Sequence, residues 1–378
     1  MKPIPALLPE AVELEPRDTN EWLPEFTPSA DILELAVPQH VTGPGYYGLP
    51  MLKRPTWGWQ IALYFFFEGI SSASYLIASL ATLFGEGRFR EVSRAGHYVS
   101  FGALVPCAPL LIADLGAPKR FHHMLRVFKP SSPMNLGAWS LLGFSLPVTL
   151  QAAEMLTEEI EPPRWLARIA ARLPDRLAAV FGIPFAIIMA GYPGVLLSMT
   201  STPIWTRSRF LGALLACESI KNGAAATDMA IALTRENRAA VYEHDKLDSI
   251  RTLAAAGEAA LLGAYVITTG QAARPLTKGS QAWTFWLGAI GAGIVAPAII
   301  GMSGIGERKR KRGLRDLFTK HSRRMNLAAK LASSALSLAG GLALKWAITH
   351  GGQESALDDD ATRIASRATE SNPGWNPA

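Results

Sequence analysis

Three long stretches of this 378-residue chain, 130–153, 177–206 and 279–306, contain no Asp, Glu, Lys or Arg. About 20 mostly apolar residues in a helix cross the hydrocarbon core of a bilayer. A chain inside lipid must also satisfy its backbone hydrogen bonds internally, which favours helices. Composition agrees, with 49% hydrophobic and only 18% charged residues, against roughly a quarter charged in soluble domains. The chain therefore reads as an all-α polytopic membrane protein whose first partner is the lipid bilayer. A soluble multi-domain enzyme is excluded, and no part of the sequence calls for nucleic acid.

About eight segments qualify as transmembrane helices: 57–84, 96–113, 134–156, 177–201, 210–234, 252–270, 281–301 and 331–349. Residues 1–50 carry eight acids against two basic residues, are rich in Pro, and read as an extended acidic arm. The transmembrane domain is expected over 51–350. Residues 351–378, with Asp358–Asp360 and a Pro/Gly/Asn end, are expected to form a disordered tail. Loops after the first, third, fifth and seventh segments hold 21 Lys and Arg, and the remaining loops and tails hold 14. Basic residues concentrate on the cytoplasmic side. Both termini are therefore expected to be periplasmic, in a bacterial inner membrane.

Two cysteines, Cys107 and Cys217, are too few for an iron–sulfur cluster or a structural zinc site. There is no Cys-x-x-Cys-His for covalent haem, and none of the seven histidines sits mid-way along an apolar segment. The expectation is a protein with no haem, iron–sulfur cluster or metal of its own.

Polar residues inside the apolar segments are costly and mark function. Gln60, Tyr64, Glu68, Ser71 and Tyr75 recur at spacings of four, four, three and four, which places them on one face of the first helix. Glu68 lies ~16 Å beyond Trp57 at 1.5 Å per residue, near mid-bilayer. It serves either as a hydrogen bond to a neighbouring helix or in a proton relay or ligand pocket. Tyr192 and Pro193, flanked by Gly191 and Gly194, are predicted to interrupt the fourth helix. In the fifth helix, Glu218 and Lys221 are three apart and predicted to form an ion pair. Asp228 in that helix and Glu258 in the sixth could extend a proton path. His122 and His123, close to Asp114, could exchange protons near neutral pH.

The loop after the second segment carries Asp114-Leu-Gly-Ala-Pro-Lys119-Arg120-Phe-His122-His123-Met-Leu-Arg126-Val-Phe-Lys129-Pro-Ser-Ser-Pro-Met134. It resembles the signature of the NrfD/PsrC family, the quinone-reactive membrane subunits of polysulfide-reductase-like complexes. Ala117 stands where that signature usually has Arg, and Glu68-Gly69 where it usually has Gly-Gly. Further matches are Tyr46-Tyr-Gly-Leu-Pro50 and Gly191-Tyr-Pro-Gly-Val-Leu-Leu-Ser198, followed by Pro203-Ile-Trp205.

The resemblance implies two four-helix bundles side by side, with an exchangeable quinone or quinol held in the first. It assigns Tyr192 to the quinone and, by spacing, Gln60 and Tyr64 as well; Asp114 completes that set. Glu68, His122, His123, Glu218, Asp228 and Glu258 are the candidates for proton transfer. It also implies a periplasmic four-cluster ferredoxin-like iron–sulfur partner, with a molybdopterin or multihaem catalytic subunit behind it. Lys119, Arg120, Arg126 and Lys129 would then form the docking surface. The function expected is quinone-linked electron exchange within an oxidoreductase complex, with proton uptake or release. The alternative is a proton-coupled secondary transporter, which would show paired broken helices in two related halves.

Overall fold

The computed structural model describes residues 51–85, 87–159, 175–234, 238–305, 319–359 and 361–362. Its helices are α1 (Trp59–Phe84), α2 (Arg90–Leu104), α3 (Cys107–Asp114), α4 (Pro133–Glu159), α5 (Asp175–Ser198), α6 (Pro203–Thr206) and α7 (Leu211–Thr234). These are followed by α8 (Arg238–Thr269), α9 (Arg274–Thr277), a π-helix (Thr284–Val295) continued by α10 (Ala296–Ile305), and α11 (Thr319–Ser355). No strand occurs among the described residues.

Seven helical segments among the described residues are long and apolar enough to cross a membrane. Segment α7, expected as a span, is not among the seven. It is 24 residues long but carries Glu218, Lys221 and Asp228, all buried. It is nevertheless central: α7 packs against α1, α2, α5, α8 and α11. Likewise α1 packs against α2, α3, α5, α7 and α11.

Small residues allow this crowding, as expected where helices approach closely in lipid. A Cβ on Gly96 of α2 would lie 2.8 Å from Ala78 Cβ of α1, and one on Gly223 of α7 would lie 2.6 Å from Ala73 Cβ. The apolar surfaces of α5 and the π-helix point outward instead, with Ile187, Leu287 and Val295 exposed. That is the inverse of a soluble protein and suits a lipid solvent.

Several expectations are corrected. Helix α5 is not interrupted at Tyr192: it runs to Ser198 with Pro184 and Pro193 inside it. Close packing on α7 holds it together there, since a Cβ on Gly194 would lie 2.5 Å from Gly212 Cα. Residues 238–251, expected as loop, are the first turns of α8. The tail expected from residue 351 begins as helix, because α11 continues to Ser355. Ala356, Asp359 and Ala361 beyond it are buried. Asp359 Oδ1 accepts the Met51 N–H at 3.0 Å, Arg54 donates to Gln353 Oε1 at 2.9 Å, and Gln353 donates to the Trp57 carbonyl. These contacts tie the entry of α1 to the exit of α11, so the chain stays ordered past the last span. The acidic arm, 1–50, and the tail beyond 362 lie outside the described residues.

Candidate functional site

One end of the protein gathers the start of α1, the end of α3, the start of α4 and the end of α5. Gly58, just before α1, donates its N–H to Asp114 Oδ1 at 3.4 Å. A Cβ on Gly58 would lie 2.6 Å from Gln60 Oε1 and 3.9 Å from Asp114 Oδ1. A side chain at position 58 would therefore displace the Gln60 amide. One turn deeper Tyr64 is buried, within electrostatic reach of Glu68, Cys107 and Tyr192. The Tyr192 hydroxyl donates to the Pro133 carbonyl at 3.0 Å, and its ring lies against Gly137 of α4. Gln60 and Asp114 thus flank Gly58, and deeper along α1 Tyr64 neighbours both Tyr192 and Glu68.

Glu68 is 1% exposed, and neither of its carboxylate oxygens has a hydrogen-bond partner among the described residues. An orphaned buried carboxyl costs several kcal/mol unless water, a ligand or a cation meets it. The nearest cation belongs to Lys345 of α11, which donates to the Phe65 carbonyl at 2.6 Å and lies within electrostatic reach of Glu68.

Sequence reasoning missed Lys345. Its Nζ is 3.0 Å from Glu218 Oε2, with both side chains fully buried. The expected Glu218–Lys221 pair is therefore wrong. Lys221 pairs instead with Glu258 Oε2 at 2.7 Å, also fully buried, and donates to the Gly293 carbonyl of the π-helix at 3.2 Å. Residues three apart share a helix side, but α7 faces α8 and α11 in different directions, and each neighbour offers a better-placed counter-ion. Asn222 donates to Glu218 Oε1 at 2.5 Å. Gly341 of α11 makes room for both, since a side chain there would strike Asn222 and Glu218.

Asp228 stands apart, toward the other end of α7. It pairs with His244 of α8, and Ser334 Oγ donates to its Oδ2 at 3.5 Å. Arg251 donates to Ser334 Oγ at 3.0 Å and to Asp248 Oδ1 at 2.7 Å. His244 and Arg251 were not singled out from the sequence, because residues 238–251 were read as loop. A helical reading would have shown His244, Asp248, Arg251 and Glu258 at intervals of four, three and seven, hence on one face.

The histidines of the loop join neither group. His122 and His123 are exposed on a 3₁₀ turn, Pro118–Leu125, with ring centroids 4.4 Å apart. Lys119, Arg120, Arg126 and Lys129 are exposed too, beside exposed Phe121, Val127 and Phe128. Asn135, at the start of α4, fixes this loop. Its side chain accepts the Lys129 N–H at 2.7 Å and donates to the Met124 and Val127 carbonyls at 2.8 and 3.1 Å. Among the described residues no group of three His, Cys, Asp or Glu side chains could hold a metal ion.

Comparison with known proteins places these features in a lineage. Residues 49–355 match the family described as polysulphide reductase, NrfD. The chain is 24% identical to protein NrfD of Escherichia coli K12 over 79% of its own length and 95% of that protein. It is 27% identical to the C component of the polysulfide reductase of Wolinella succinogenes, over 79% of its length and 94% of that relative. A shorter match, 26% of the sequence at 27% identity, is to the C component of the selenate reductase of Mesobacillus selenatarsenatis, of which it covers 23%.

Proposed function

Because the chain belongs to the polysulphide reductase, NrfD family, we propose that it is the quinone-reactive membrane subunit of an oxidoreductase complex, exchanging electrons with a periplasmic iron–sulfur subunit. The observation that carries this reading is a polar set leading inward from the Asp114 end, with Asp114 and Gln60 beside Gly58, then Tyr64 within reach of Tyr192, then the buried Glu68 carboxyl. A quinone ring needs hydrogen-bonding groups at its two carbonyls and a route for protons, and it supplies the two-electron chemistry itself. The residues present fit that need. Gln60 and Tyr64 offer an amide and a phenol from consecutive turns of α1. Tyr192 offers a second phenol from α5 once its hydroxyl turns from the Pro133 carbonyl. Glu68 and Asp114 hold the protons.

The reading extends to the surface. Both termini are taken as periplasmic, which puts the Gln60 end and the basic loop on the outer side. There Lys119, Arg120, Arg126 and Lys129 would receive the partner, which we take to be a four-cluster ferredoxin-like protein followed by a molybdopterin or multihaem subunit. The helix pairings suit two four-helix groups joined at α1 and α7, with α7 counted as the eighth span. Its buried charges are tolerable in lipid because each has a counter-ion on another helix.

Binding of menadione, followed by fluorescence quenching or calorimetry on the purified complex, tests the site. Saturable binding weakened by Gln60→Ala and by Tyr192→Phe is expected. Binding by wild type that neither variant alters would move the site elsewhere, and no binding at all would remove the reading.

A further inference from the structure

The peptide unit that joins Trp57 to Gly58 is bonded on both sides by side chains from distant parts of the chain. Its carbonyl oxygen, on Trp57, accepts from the Gln353 side-chain amide, and its N–H, on Gly58, donates to Asp114 Oδ1 at 3.4 Å. Gln353 belongs to α11 and lies 296 residues further along the sequence than Trp57, so this bond makes the entry of α1 depend on the end of the last long helix. A trans peptide is planar, with its C=O and N–H pointing in opposite directions. Holding the oxygen on one side therefore aims the hydrogen on the other. Accepting a hydrogen bond at the oxygen also polarises the peptide and strengthens its N–H as a donor.

The surrounding contacts fix how Gln353 approaches. Arg54 donates to Gln353 Oε1 at 2.9 Å, which turns the Nε2 end of the amide toward the Trp57 carbonyl. The Trp57 ring stacks on Trp205 of α6, with centroids 5.5 Å apart and 26° between the planes. Trp205 is fully buried and donates its indole N–H to the Ile348 carbonyl of α11 at 2.8 Å. A Cβ on Gly352 would run into the Trp205 ring, so the residue before Gln353 is small where the indole passes. Both the backbone and the ring of Trp57 thus rest on the last turns of α11. On the other side of the peptide, Asp114 has one hydrogen-bond donor among the described residues, that same Gly58 N–H. The direction of its carboxylate therefore follows the tilt of the 57–58 peptide.

We infer that Gln353 is a positioning residue, which acts on Asp114 through the 57–58 peptide rather than on the ligand itself. Its consequence for binding rests on the quinone reading, in which Asp114 and Gln60 meet the ring beside Gly58. A protonated carboxyl donates to a quinone carbonyl, and a carboxylate accepts from a quinol hydroxyl. Either bond needs the Asp114 oxygens held in one direction, because hydrogen bonds weaken steeply as they bend. Holding the chain and aiming the peptide are separable tasks. A carboxylate at position 353 would still accept from Arg54 and keep α11 fastened to the entry of α1. It could not donate to the Trp57 carbonyl, so the peptide would lose its guide while the fastening stayed.

The test uses the purified complex and two substitutions. Gln353→Met removes both bonds, and Gln353→Glu keeps the Arg54 bond while replacing the donor with an acceptor. Deuterium exchange of the Gly58 amide, read by fragmentation mass spectrometry, should be about tenfold faster in both. Menadione binding should weaken about fivefold in both, the worth of one hydrogen bond. Thermal unfolding of Gln353→Glu should match wild type. In an Asp114→Ala background neither substitution should weaken menadione binding further, because the effect passes through that carboxylate. Gly58 exchange at the wild-type rate in both variants would overturn the inference, and so would losses of affinity that add in full to that of Asp114→Ala. A Gln353→Glu protein that loses stability along with affinity would overturn it too, by making the residue a structural fastening. A wild-type complex that binds no menadione would instead remove the quinone reading, and the Gly58 exchange would still decide whether Gln353 holds the peptide.

Discussion

Around Gln60, Tyr64 and Tyr192 the polar groups are mostly neutral and come from α1 and α5, whose register is set by apolar packing. Along α7, α8 and α11 buried ions dominate, and Glu218, Lys221 and Asp228 of α7 each find their counter-ion on a different helix. On the proposed reading the first region offers its donors to a ligand, and losing one of them should change affinity more than folding. The second region is self-satisfied at its ends, and losing one partner leaves a bare charge in low dielectric. Neutral polar groups and paired ions are thus divided between different helices, and the two regions meet at Glu68 and Lys345.

The sharpest way to break this comparison is Lys345→Met. It strips Glu218 of its counter-ion and Glu68 of its nearest cation, and it should destabilise the protein by about 3–5 kcal/mol. Thermal unfolding in detergent would register this, with reduced recovery of the assembled complex. Adding Glu218→Leu to Lys345→Met should restore much of the loss. A Lys345→Met protein as stable as wild type would mean these buried pairs are not electrostatically tight.

A double-mutant cycle sharpens the pairing itself. Coupling of roughly 1–3 kcal/mol is expected between Glu218 and Lys345 and between Lys221 and Glu258. Glu218 and Lys221, though three residues apart, should couple far less. Strong coupling there would restore the pairing that sequence spacing suggests.

At the other region, Tyr192→Phe should leave stability nearly intact, because its hydroxyl makes one bond worth about 1 kcal/mol. Quinol-dependent turnover of the complex should fall about tenfold, equivalent to 1.4 kcal/mol. If stability fell while turnover held, Tyr192 would belong with the structural residues and the contrast would dissolve.

The smallest effect is expected at the surface. Replacing Lys119 or Arg126 with Gln should cost no more than about 1 kcal/mol of partner binding each and lower its salt dependence. Co-purification of the complex at increasing ionic strength would reveal this. A C-terminal alkaline phosphatase fusion should be active, placing this loop on the outer side; an inactive one would reverse the assignment of faces.

Much of this was legible in the sequence because lipid imposes a one-dimensional rule. A chain must be apolar for about 20 residues to cross the core, so predominantly apolar segments of that length located most helices. The α1 stripe was legible for a similar reason, since Gln60, Tyr64 and Glu68 share a face by periodicity alone. Motif residues such as Asp114 and Tyr192 added the loop and α5. What the sequence could not supply was the choice of counter-ion. Glu218 had Lys221 three residues away, and only the packing of α11 against α7 brought the far more distant Lys345 within 3.0 Å. The same applies to His244, whose pairing with Asp228 needs α8 to begin earlier than apolarity suggests. Hydrophobicity is a property of each residue and accumulates along the sequence. An ion pair is a property of a distance, and only the tertiary structure sets distances between helices.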